Sequence, residues 1–152
     1  MSSVYSFKDV HASIDGPGGN FPLAGDEAGA AKEGITVEAT GDLNTMTEGA
    51  DGSYMHSMNA SKGSTVTVRL LKTSTVNAQL QALLNYQRTS GSLWGRNTIT
   101  IRDVARGETI TCSGVAFAKE TGLSYTEQAG NNDWTFHAGK TDRQLGSGSP
   151  EK

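Results

Sequence analysis

Three histidines, one cysteine and a run of glycines are the residues with chemistry to offer. A metal site needs two or more ligands brought together by short spacing, usually on one helix face or across a turn. His11, His56 and His137 fall in three different predicted strands and form no H-x-x-x-H or comparable pair, so they read as solvated or hydrogen-bonded strand residues. Cys112 stands alone, which excludes an intramolecular disulfide and a multi-cysteine zinc site. It alternates with Ile110, as a small buried hydrophobe does. Gly16, Gly18 and Gly19 invite a phosphate-loop reading, but no Lys-Ser/Thr pair and no helix start follows them. They read as turn glycines. Asp26-Glu27 lies in an acidic, Gly/Ala-rich stretch, and Glu38 is a lone strand carboxylate. No nucleophile stands beside a base, so the expectation is a non-enzyme with no catalytic residue, no cofactor and no metal.

Composition allows one domain. A chain of 152 residues buries about two-thirds of its unfolded surface without staples. The expected organisation is a single domain over residues 1–139 followed by a polar tail, 140–152. No apolar stretch follows Met1 and no run is long enough to span a bilayer, which predicts a soluble intracellular chain. The net charge of -3 is unevenly spread: residues up to Ser61 are strongly acidic, and those from Lys62 onward are net basic. Such complementarity either pairs neighbouring strands within one fold or serves a head-to-tail contact between copies. The basic residues are scattered, with no interleaved aromatics, so no nucleic-acid reader is indicated.

The elements follow from periodicity. Val4 to Ile14 reads as a strand closed by the Asp15–Gly19 turn, and Asn20 to Gly34 as an irregular connection before a strand at Ile35–Ala39. Leu43 to Asn59 reads as a long hairpin around a turn at Gly49–Gly52. Its Leu43, Met46, Tyr54, Met55 and Met58 do not alternate cleanly, so it offers no single core face. Thr65 to Leu70 alternates as a half-buried strand and leads into the one convincing helix, about 74–89. That helix has Ser74 as N-cap, an apolar stripe of Val76, Leu80, Leu83 and Leu84 opposite Gln79, Gln81 and Gln87, and Gly91 as a stop. Thr98–Val104 and Glu108–Ala118 form a second hairpin. Its apolar phase changes across Gly114, which a bulge would reconcile. The last strand, Asp133–Ala138, sets Trp134, Phe136 and Ala138 against His137. The fold class is mainly β: a small antiparallel two-sheet barrel or sandwich, one flanking helix and a projecting hairpin.

The blocks VYSFKDVHASIDGPGG, AKEGITVEAT, NTMTEGADGSYMHS, STVTVRLLKTSTVNAQL, ITIRDVARGETITCSGVAFAK and NDWTFHAG occur in an order and spacing that resembles the tail tube proteins of contractile-tailed bacteriophages, from Val4 to about Gly139. The resemblance implies a structural virion protein of the phage tail, assembled in the host cytoplasm into stacked hexameric rings that conduct DNA during ejection. Its implied partners are other copies of itself, a tail sheath protein, baseplate and tail terminator proteins, and genomic DNA passing without sequence-specific contact. The long hairpin then reaches a neighbouring ring, with Leu43, Asn44, Met46, Thr47, Tyr54, Met55 and Met58 at the interface. Two further readings stay open: a secretion-system-type tube protein, which shares the architecture, and a small ligand-binding β-sandwich, which a concave aromatic cluster would mark. A hydrolase lacks an activated nucleophile.

Overall fold

In the computed structural model, residues 10–24, 30–123, 125–128 and 130–146 are described. Nine strands and one helix appear among them: β1 Val10–Gly16, β2 Gly19–Ala24, β3 Ala30–Ala39, β4 Asn44–Glu48, β5 Tyr54–Met58, β6 Ser64–Leu71, α1 Val76–Gln87, β7 Asn97–Asp103, β8 Glu108–Phe117 and β9 Asn131–Gln144. Seven strands form one antiparallel sheet in the order β2-β1-β7-β8-β9-β6-β3, curled into a half-barrel, and β4–β5 is a separate two-stranded sheet.

Alternation builds the core. β1 buries Val10, Ala12 and Ile14, β6 buries Val66, Val68 and Leu70, and β9 buries Trp134, Phe136 and Ala138. Phe117 stacks at a tilt on Phe136 and edge-on to Trp134, with centroids 4.9 and 6.1 Å apart, separations at which aromatic quadrupoles attract. The expected bulge is present. Asn97 faces Val115 while Ile99 faces Cys112, so β8 carries the extra residue at Gly114, which takes φ +61°. The bulge returns the apolar side chains on both sides of it to the core, bending the strand so that the sheet curls.

The helix closes the hollow with the expected stripe: Val76, Leu80, Leu83 and Leu84 are all buried. Its ends differ from expectation. Ser74 Oγ accepts the Val76 N–H at 3.2 Å, yet the residue before the first turn is Thr75, and the helix ends at Gln87, well before Gly91. Gln87 is buried, whereas a polar outward position was expected. Its amide donates to Asn97 Oδ1 (2.7 Å) and Pro17 O (3.1 Å), while Asn97 donates to Gln87 Oε1 (2.9 Å) and Val115 O (3.0 Å). A buried amide this well partnered is tolerated where a bare one is costly, and it fastens the helix end to the β1–β2 turn and to β7.

Two further expectations are corrected. The described residues from Asn20 to Gly34 are strand: β2 runs to Ala24, because the tight Pro17-Gly18 turn, with Gly18 at φ +105°, returns the chain directly along β1, and β3 begins at Ala30, paired with β6. The acidic pair Asp26-Glu27 and the first part of the first expected strand, before Val10, lie outside the described residues. Finally, the last strand does not stop at Ala138. β9 continues to Gln144, paired with β8 from Thr109 to Phe117, since main-chain ladder bonds do not require an apolar sequence. No helix among the described residues is long and apolar enough to cross a membrane.

Candidate assembly interface

β3 and β6 are neighbours in the sheet, and the chain between them leaves the barrel as β4–β5 and returns. The root is tied by Thr40 N–H to Gly63 O (3.2 Å) and Thr141 N–H to Lys62 O (2.9 Å). Beyond it, every residue of both hairpin strands is exposed. The hairpin holds its own shape through polar bonds. Gly49 N–H reaches Ser53 O at 2.7 Å, Ser53 donates from both N–H and Oγ to Asp51 Oδ1, and Asn59 Nδ2 donates to Asp42 O and Thr45 Oγ1. The Ser53 bonds hold the Asp51 carboxyl below its ordinary pKa, with the side-chain hydroxyl contributing most.

Cross-strand register sorts the apolar residues that single-strand reading could not. Asn44 faces Met58, Met46 faces His56 and Glu48 faces Tyr54, while Thr45 faces Ser57 and Thr47 faces Met55. Directly opposed residues share a side and successive ones alternate. Met46, Tyr54 and Met58 therefore share one face, with His56 edge-on to Tyr54 at 5.3 Å and its Nδ1 accepting from Asn44 Nδ2 at 3.1 Å. Thr47 and Met55 lie on the other. Tyr54 is 68% and Met58 93% exposed, and Leu43 stands exposed at the hairpin base. All seven sequence-derived interface residues thus lie on or beside one projecting hairpin, but they are divided between its two faces.

A second surface went unread in the sequence. The side of the seven-stranded sheet turned away from the core carries Thr65, Thr67, Thr98, Thr100, Thr109 and Thr111 across β6, β7 and β8, and among the described residues its only large aliphatic is Leu71, at one end. Two of its cations lie beside carboxylates, and a third, Arg102, is exposed between His11 and Thr109 of the neighbouring strands. Arg69 faces Asp133 across the β6–β9 ladder and donates to Thr36 Oγ1 at 2.9 Å, and Lys140 Nζ stands 3.9 Å from Asp142. The sequence signal was present in TVTVR, TITIR and TITCS, where threonine occupies the non-core phase of each strand.

Chemistry is not assembled anywhere among the described residues. His11 and His137 lie on the outer sheet face and His56 on the hairpin, and no group of three or more potential metal ligands is found. Cys112 is buried, and desolvation raises its thiol pKa, with the Thr141 hydroxyl donating to Sγ at 3.8 Å. A cleft of about 240 Å³ opens between β1, β3, β7 and β8, lined by Val10, Ile35, Val37, Ile101 and Ile110 with Asp103 and Glu108. Asp103 is engaged by Arg106, at 3.7 Å, and no nucleophile lines the cleft.

The described residues thus join a half-barrel with a threonine-covered outer face to a self-braced, exposed hairpin. The chain belongs to the family described as Bacteriophage PhiTE tail tube protein, whose model matches residues 1–146. No curated protein matches it in sequence. Solved structures share the fold: the sheath-tube complex of an extracellular contractile injection system in the extended state (TM-score 0.55, 10% identity, 88% of each chain), the sheath/tube terminator of the same kind of system (0.56, 13%, 95% of this chain and 98% of that one), and the baseplate of the anti-feeding prophage (0.54, 11%, 95% and 97%). Family membership makes the chain a bacteriophage tail tube protein, a structural component of the tail.

Proposed function

We propose that six copies form a ring, that rings stack into a hollow tail tube, and that the threonine-covered face of the sheet lines the lumen through which DNA passes during ejection. The observation that carries this reading is that outer face: seven strands wide, hydroxyl-rich on β6, β7 and β8, and with its cations dispersed, Arg69 and Lys140 lying beside Asp133 and Asp142 and Arg102 standing apart from them on β7. Phosphate binding requires clustered unneutralised Lys and Arg, so such a surface lets a polyanion slide. The edge strands β2 and β3 present unpaired main-chain groups that a neighbouring copy would cover, closing the sheet around the lumen. The hairpin reaches the next ring. Sheath, baseplate and terminator partners follow from the assemblies in which proteins of this fold occur.

Negative-stain microscopy with sedimentation velocity of the concentrated protein tests the assembly. Hollow stacked rings with sixfold end views are expected, with no measurable duplex-DNA binding by the polymer at physiological salt; tight DNA binding would sink the conduit reading. Met46→Asp places a carboxylate on the apolar hairpin face and is expected to cut polymer yield at least tenfold while leaving the subunit folded. Equal polymer from the variant would remove the hairpin from the interface.

A further inference from the structure

β6 separates two exposed surfaces. The hairpin root adjoins Ser64 at its start, and Leu71-Lys72 stands at its end, about 23 Å away at the usual rise of an extended strand. At that far end Leu71, Leu123 and Tyr125 are exposed, the last two by 62% and 81%. Lys72 Nζ sits 3.9 Å from the centroid of the Tyr125 ring, and the Lys72 N–H reaches Gly130 O at 3.3 Å. The cation–π contact holds the β8–β9 loop against the end of β6 and presents an aromatic platform edged by a positive charge.

The two ends match in chemistry and oppose in sign. From Asp42 to Asn59 the hairpin carries Asp42, Glu48 and Asp51 and no Lys or Arg. The loops at the far end carry Lys72, Arg88, Arg96 and Lys119 against Glu120 and Glu127, and Arg88 is already bound to Glu120 at 2.7 Å. On the apolar side, thioethers are adaptable partners for an aromatic ring, and the hairpin offers Met46 and Met58 on the face that also carries Tyr54.

We propose that the Met46–Tyr54–Met58 face of one copy docks on the Leu71–Leu123–Tyr125 platform at the opposite end of a second copy, with Lys72 meeting the hairpin's carboxylates. This rests on the tube reading and specifies its acceptor. Because the joined surfaces are unlike and lie at opposite ends of the barrel, each added copy exposes a fresh platform or hairpin, and the stack does not close on itself.

Two variants test the contact. Met46→Asp/Tyr54→Asp destroys the hairpin face, and Leu123→Asp/Tyr125→Asp destroys the platform. Urea unfolding midpoints close to wild type are expected for both, since all four side chains are exposed. Each variant alone is expected to stop at the single-ring stage. Mixed in equal amounts, they should pair one intact hairpin end with one intact platform, doubling the sedimenting mass and going no further. Long polymers from the platform variant alone, or no mass increase on mixing, would overturn the contact while leaving the tube intact. A wild-type chain that stays monomeric at millimolar concentration would overturn the tube reading and this contact together.

Discussion

The β4–β5 hairpin and the β6–β9 pair are both antiparallel ladders of ordinary strand geometry, yet one has a core and the other has none. In β6 every second residue from Ser64 to Leu70 is buried, whereas in β4 and β5 none is. An isolated two-stranded hairpin is marginal in water, and this one is held by its root, its turn bonds and the Asn59 side chain. The contrast separates two tasks within one chain. The sheet buries the core of the subunit, and the hairpin leaves apolar side chains exposed, which in the proposed tube another copy would cover.

The sharpest way to break the contrast is to truncate one aromatic in each region. Trp134 is 1% exposed, packs edge-on to Phe117 and donates from Nε1 to Asn77 Oδ1 at 3.0 Å. Trp134→Ala is expected to cost about 3–5 kcal/mol in urea unfolding of the subunit. Tyr54→Ala, on the hairpin, is expected to stay within about 0.5 kcal/mol. A large loss for Tyr54→Ala would mean that the hairpin shares the subunit's core after all.

The same division explains what could be read in the sequence. Where a strand or helix buries one face against its own chain, periodicity records it, and Val66, Val68, Leu70, the Val76–Leu84 stripe and the phase change at Gly114 were all legible. β2 and the end of β9 were not. In β2 the buried face is only Phe21 and Leu23, set about Pro22 and too short to read as alternation, and the pairing of Lys140–Gln144 with β8 rests on a main-chain ladder, which polar and glycine-rich residues satisfy as readily as apolar ones. The hairpin's shared face was hidden for a different reason. Met46 sits on one strand and Tyr54 and Met58 on the other, so only the register collects them. Gln87 escaped because its partners, Pro17 and Asn97, lie in other parts of the chain, and a buried glutamine looks like a surface one until its acceptors are known.

That amide cluster gives the next test, intermediate in size. Gln87→Ala leaves Asn97 without two of its bonds in a buried site and is expected to cost about 1–3 kcal/mol. Asn97→Ala should do likewise. The double variant is expected to cost less than the sum of the two, because each single change already breaks the same pair. Strict additivity in a double-mutant cycle would show that the two amides act independently. Polymer formation should persist in all three variants at temperatures where the subunit is folded, since no residue of the cluster lies on the hairpin.

The smallest expected effect lies in the hairpin turn. The Asp51 carboxyl is lowered from its usual value of 3.8 chiefly by the Ser53 hydroxyl, with the Ser53 N–H adding to it. A depressed carboxylate stabilises the folded turn at pH values above its unfolded pKa, and that contribution is lost as pH falls through the folded value. Acidification below pH 3.8 should therefore loosen the turn. Faster amide hydrogen exchange at Ser53, corrected for the intrinsic pH dependence of exchange, would report it, with the exchange of Val66 and Val68 in β6 unaffected. The Asp51→Asn variant should lose that pH dependence in the same range. If β6 amides loosened in step with Ser53, the hairpin and the sheet would be one cooperative unit, and the division of tasks between them would not hold.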